Sequence, residues 1–234
     1  MKTFRSSRNG PFQQQVFYKP QEVETICTNA LRSAGLYPTD IEPIRIDRFI
    51  EKKFGITLSY EDLPSDLYGF TIFGNNGVQS VTVAKSFDDE GTKSAERKLR
   101  TTIAHEAGHG LLHTHLFCMH EEKTKPMFAD YADPNKPKIL CRDANPEKTS
   151  YDGRWWEYQA NMTIGALLLP RPLVVSALNN LLEALGSLGL KTLPKENKEA
   201  AIKLCSEIFN VNPAVAKIRI DEIWPALKSN QMQL

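Results

Sequence analysis

Within residues 103–113, His105 and His109 stand four apart with Glu106 beside the first, the pattern H-E-x-x-H. On an α-helix, positions four apart lie on one face one turn up, so both imidazoles can reach a single ion. Glu106 falls on the flank of that face, where its carboxylate meets a water on the ion rather than the ion itself. Zinc with an open coordination position lowers the pKa of its water to about 7, and a neighbouring carboxylate can take the proton. The pattern therefore predicts a hydrolytic centre with Zn2+ as cofactor and Glu106 as catalytic base. The competing reading is a solvated helical face with two incidental histidines. Leu99, Ile103, Ala107 and Leu111 recur every fourth residue and argue against it, since such a stripe seats a helix on a core. Ala107, Gly108 and Gly110 are small enough to let another element or a substrate come close.

Two histidines leave a zinc site incomplete. His113 lies eight positions after His105, about 12 Å along a continuous helix, and cannot share the ion. It is expected to touch a ligand or the substrate, or to sit partly buried with neither role. Glu157 is the better third ligand. Glu157 and Asn161 continue into Ile164 and Leu168 along one helical stripe whose far end is apolar, so its near end should also face inward. A buried carboxylate needs a partner, and a metal provides one. Asn161, one turn on, is placed to orient a ligand. A surface pair between Glu157 and Arg154 is the alternative, and Glu121 and Glu122 are weaker rival ligands. Tyr151, Tyr158, His113 and His115 are all candidates for stabilising a developing oxyanion. Cys118, His120 and Cys141 carry metal-capable side chains, but their spacing matches no common structural zinc pattern, so free thiols are the simpler expectation.

The elements that must position these residues follow from periodicity and turn chemistry. Residues 1–19 are polar and read as a flexible arm. Helices are expected at 21–34, closed by Gly35, and near Asp47–Gly55 with Asp47 as cap. A strand at 56–60 precedes a hairpin, 70–73 and 78–83, around an Asn-Gly turn. That hairpin could offer an exposed edge to an extended peptide. A polar loop at 85–93 leads into the histidine-bearing helix at 94–115, followed by a long irregular insertion at 118–152. Helices are then expected at 154–168, stopped by Pro170 and Pro172, and at 173–185, where leucine is dense. Residues 195–234 form a C-terminal helical subdomain. One of its helices has Ala201, Leu204, Cys205 and Ile208 on one face, and the other starts at Asn212-Pro213 and carries Val215, Ile218 and Ile223.

The chain has 234 residues, 41% hydrophobic and 24% charged, with a formal net charge of +1. A balance so near neutrality gives no support to bulk attraction by nucleic acid or membranes. No apolar run approaches the length needed to span a bilayer, and the first 19 residues lack the core of a secretory signal. Four scattered cysteines fit a reduced, cytoplasmic protein.

Over roughly residues 20–225 the chain resembles the ImmA/IrrE family of metallopeptidases. The likeness is carried by 103–109 (Ile-Ala-His-Glu-Ala-Gly-His), by 157–161 (Glu-Tyr-Gln-Ala-Asn) and by Leu167-Leu168-Leu169-Pro170. The resemblance implies an α+β, mostly helical, zincin-like domain over 20–194 with a small antiparallel sheet. It also implies a gluzincin-like centre, with His105, His109 and Glu157 on zinc and Glu106 as base. The implied activity is a cytoplasmic endopeptidase that cuts a DNA-binding repressor in phage, mobile-element or stress regulation. Two other readings stand beside it. One is a metal-binding regulator that sequesters a protein partner without cutting it. The other is a DNA-reading pair of C-terminal helices, which the offset of Lys217 and Arg219 by Asp221 and Glu222 disfavours.

Overall fold

A computed structural model describes residues 2–5, 14–74, 76–118, 138–142, 154–185 and 190–225. The fold is mixed α+β. At the start, β1 (Lys2–Arg5) and β2 (Gln14–Phe17) pair antiparallel where a flexible arm was expected. Two inward-facing residues suffice to hold the segment down: Val16 and Tyr18 are buried, and the Tyr18 hydroxyl donates to the Leu112 carbonyl at 3.4 Å. α1 (Pro20–Ser33) buries Val23, Cys27, Ala30 and Leu31. α2 (Ile46–Phe54) ends at Gly55 with φ of 70°, a left-handed conformation that favours glycine. Asp47 lies inside the first turn of α2 rather than capping it, because Arg45 holds the cap position.

The main sheet contains β3 (Leu58–Glu61), β4 (Leu67–Gly74), β5 (Gly77–Ala84) and β6 (Lys138–Arg142), in the order β3-β5-β4-β6. β4 and β5 form the expected hairpin, and β6 pairs antiparallel with β4. β3 and β5, however, are parallel, so the sheet is mixed and not purely antiparallel. The chain reverses after β3 and again after β4, which returns β5 to the direction of β3. Both hairpin strands are interior in strand order: β3 covers the outer side of β5 along Val81–Ala84 and β6 that of β4 along Leu67–Ile72, so the sheet edges belong to β3 and β6 over those residues. β6 itself falls in the stretch read as irregular.

α3 (Ser86–Glu90) occupies the expected loop, and α4 (Lys93–Leu112) is the histidine-bearing helix. Thr92 Oγ1 accepts from the Ala95 backbone N–H at 3.1 Å, satisfying one of the donors left open at a helix start. α4 stops at Leu112 with His113 as its C-terminal cap, and α5 (Thr114–Cys118) follows as a separate turn. α6 (Trp155–Leu168) ends before Pro170, and α7 (Arg171–Ala177) accommodates Pro172 in its first turn. The leucine-dense segment does not continue as helix to 185. Asn179 and Asn180, both weak helix formers, open a short 3-10 turn, after which β7 (Glu183–Leu185) and β8 (Leu190–Thr192) pair.

α8 (Lys198–Ile208) and α9 (Pro213–Ile223) complete the chain. Asn212 Oδ1 accepts from the Ala214 N–H at 2.9 Å, the expected start of α9. Leu204, grouped from spacing on one face with Ala201, Cys205 and Ile208, is exposed instead, and Ile218 is exposed on α9. Ala201, Ile202, Cys205, Phe209, Val215 and Ile220 join the same core as α4 and α6, so the C-terminal helices share one hydrophobic interior with the rest. Cys27 and Cys205 are free and buried, and burial pushes the Cys205 thiol up to about 12. Among the described residues no single helix is long and apolar enough to cross a membrane.

Candidate metal centre

The site is made where α4 and α6 cross, and a glycine sets their separation. A Cβ on Gly108 would lie 2.1 Å from Thr163 Oγ1 and 3.1 Å from the Ala160 carbonyl oxygen, so only glycine permits this approach. Thr163 Oγ1 spends its proton locally, on the Ala160 carbonyl at 2.7 Å. With the helices this close, Glu157 on the first turn of α6 reaches the imidazoles of α4. Glu157 Oε2 lies 3.1 Å from His105 Nε2 and 3.6 Å from His109 Nε2, and the two Nε2 atoms are 2.9 Å apart. The surface pairing of Glu157 with Arg154 is therefore not its arrangement.

These three residues could hold a metal ion, as their ligand atoms all lie within 4.8 Å of one another. The chemistry of the donor set supports the fit. Asn161 Oδ1 can only accept, so at 2.9 Å it fixes the proton of His105 on Nδ1 and leaves Nε2 as a lone pair aimed inward. That lone pair faces a carboxylate oxygen and a second imidazole nitrogen in a buried setting, where electron-pair donors repel unless a cation lies among them. Two imidazoles and a carboxylate form a set suited to a borderline divalent ion. Burial alone pushes the Glu157 carboxyl up, but positive charge at His109 and His105, a role a bound ion would take over, outweighs it and holds it well below the usual carboxylate range. Burial also pushes His109 down, against the pull of Glu157.

Glu106 stands next to this cluster and is wholly buried. Thr71 Oγ1, from the centre of β4, donates to Glu106 Oε2 at 2.6 Å. Among the described residues, Glu106 Oε1 has no hydrogen-bond partner. Burial pushes this carboxyl up to about 7, opposed by His105 and by the Thr71 hydroxyl.

No protein-family model matches the chain, and no curated protein matches it in sequence.

Of the remaining sequence candidates, Asn161 touches His105 as expected. His113 touches His109, their Nδ1 atoms 3.0 Å apart, and its Nε2 lies 3.0 Å from Gln159 Oε1. His115 is half-buried, with no hydrogen-bond partner for Nε2 among the described residues, and Tyr158 is 57% exposed. Tyr151, His120, Glu121 and Glu122 lie outside the described residues, as do the side chains of Cys118 and Cys141. Two site residues escaped the sequence reading. Gln159 shares a four-residue spacing with Trp155 and Thr163, all three buried, and a polar residue in such a stripe signals a buried partner. Thr71 sits in a strand buried on both faces and carries no comparable signal.

Proposed function

We propose that the chain is a zinc-dependent, zincin-like endopeptidase with His105, His109 and Glu157 as metal ligands and Glu106 as general base. The observation that carries this reading is the state of Glu106. A purely structural glutamate gains nothing from complete burial with one oxygen unpaired, an arrangement that costs on the order of 1–3 kcal/mol. A general base, by contrast, needs one oxygen anchored and one available for a proton. Zinc, when bound, supplies Lewis acidity that makes a water nucleophilic near neutral pH and polarises a carbonyl. His105 and His109 would hold the ion through unprotonated Nε2 atoms, and Glu157 would supply a compensating negative charge. Glu106 takes the proton of the attacking water on Oε1 and delivers it to the leaving amine. The Thr71 bond keeps the carboxylate from rotating while Oε1 does so. A carboxyl whose burial sets it near 7 exchanges protons readily at neutral pH.

The substrate class is a protein, and the likeness of the three motifs to ImmA/IrrE peptidases makes a DNA-binding repressor the first to try. Direct DNA reading by α8 and α9 has little support. Arg219 is buried, bonded to the Leu169 carbonyl and paired with Glu24, while Lys217 pairs with Asp221. The test is co-expression with candidate repressors followed by a search for cut fragments, using wild type and Glu106→Gln. The variant should still bind zinc but lose about 10²-fold or more of the cleavage rate. Undiminished cleavage removes Glu106 from the mechanism. A cellular effect that survives Glu106→Gln favours the non-cutting regulator that sequesters a partner.

A further inference from the structure

We infer that His113 and Gln159 form a proton-ordered relay, anchored on the N-terminal hairpin at Val16, that dictates which nitrogen of His109 faces the metal; the inference rests on the metal reading above. The order of protons follows from the fixed end. The Val16 carbonyl on β2 can only accept, and Gln159 Nε2 donates to it at 2.6 Å. That turns the Gln159 amide oxygen toward His113 Nε2 at 3.0 Å, which must donate. Among the described residues no carboxylate bonds to His113, and the ring is fully buried, so it is neutral and carries a single proton. Its Nδ1 is therefore an acceptor. The group facing that acceptor at 3.0 Å is His109 Nδ1, which must carry its own proton. His109 Nε2 is left as a lone pair directed at Glu157 and His105.

Burial makes the relay binding on the ring. Val16 is 2% exposed, Gln159 4%, and His113 and His109 are fully buried, so solvent cannot replace any member. The two histidine ligands are thus oriented by different means. His105 Nδ1 meets the Asn161 amide oxygen, from the same helix as Glu157. His109 relies on a chain of two side chains that ends on a strand near the start of the sequence. His113, excluded as a ligand by helix length, becomes a positioning residue. Hydrogen-bond partners of metal-bound histidines typically contribute 10–100-fold in affinity.

The test measures zinc affinity by chelator competition for wild type, His113→Leu, His113→Asn and Gln159→Met, alongside nitrogen-15 NMR of the imidazole rings. His113→Leu and Gln159→Met should each weaken zinc binding by about 10-fold or more. His113→Asn should recover most of that loss, because its amide oxygen can stand in for Nδ1 as acceptor. In zinc-loaded wild type, His113 should carry its proton on Nε2 and His109 on Nδ1. Unchanged affinity in folded His113→Leu, or a proton on His113 Nδ1, overturns the relay. If His113→Leu does not fold, Gln159→Met and the wild-type tautomers decide in its place. Absence of zinc binding by wild type would instead sink the metal reading, and the His113 tautomer of the metal-free protein would still judge the relay.

Discussion

The first turns of α4 and its last turns carry polar side chains that meet their partners in opposite ways. At the start, Lys93 and Arg97 reach Glu207 on α8 at 2.5 and 2.8 Å, with Lys93 and Glu207 both more than half exposed. Arg97 also donates to the Ser206 carbonyl at 3.0 Å, and Arg100 to the Asn210 carbonyl at 3.0 Å and the Ile44 carbonyl at 2.9 Å. Ser206 and Asn210 stand at the C-terminal end of α8, where a helix leaves carbonyls open, and water can readily replace the exposed Lys93–Glu207 pair. At the other end, His105, Glu106, His109 and His113 are buried, and their hydrogen bonds run to one another and to Thr71, Gln159 and Asn161. A docking contact tolerates slack. A buried constellation does not, because an unmatched donor or acceptor there costs on the order of 1–3 kcal/mol.

The contrast can be broken most severely at Gly108. Gly108→Ala places a methyl where Thr163 Oγ1 stands, so α4 and α6 must part. Overpacking of this kind costs about 1–3 kcal/mol, and separation of Glu157 from the histidines should weaken zinc binding by well over about 10-fold. Thermal melts and chelator titration check both, and the added change Thr163→Ala should restore part of each if the clash is the cause. A smaller and more selective effect is expected from Thr71→Val, which keeps the shape and removes the anchor of Glu106 Oε2. It should lower kcat by about 10-fold, a modest share of what acid–base catalysis contributes, and leave zinc affinity unchanged. Thr71→Ser should restore the rate, and a loss of zinc in Thr71→Val would place the residue in the ligand framework instead.

The smallest effect belongs to the exposed half. The bonds from Lys93 and then Arg97 hold the Glu207 carboxyl down at about 2, below its ordinary 4.5. A carboxyl with a depressed folded-state pKa stabilises the fold above the unfolded value and loses that contribution as the pH falls. The advantage of wild type over Glu207→Gln should therefore be full above about pH 5 and shrink between about 4.5 and 2. Melting temperatures across that window measure it, and solvent screening keeps it slight.

Legibility in the sequence followed the same division. His105, Glu106 and His109 needed only helical periodicity, and Glu157 needed only the argument that a carboxylate on an apolar stripe must have a partner. Thr71, Gln159 and Val16 depend on contacts between segments far apart in the chain, which local spacing does not encode. The pairing of β6 with β4 and the packing of β2 are non-local in the same sense. One expectation failed for a local reason: Leu204 was grouped with Ala201, Cys205 and Ile208 on one face from spacing, although Ala201, Ile202 and Cys205 are the positions that turn inward. The leucine-rich stretch after Ala177 was weighed by its leucines, while Asn179 and Asn180 decided its conformation.

The central claim is that α4 and α6 together complete a three-ligand ion site. Metal content and zinc affinity of the purified chain, measured beside Glu157→Gln, test it most directly. The account predicts one divalent ion per wild-type chain and an affinity for Glu157→Gln reduced by at least about 10-fold. A wild-type chain that takes up no divalent ion, or a Glu157→Gln variant that binds zinc as tightly as wild type, would contradict it.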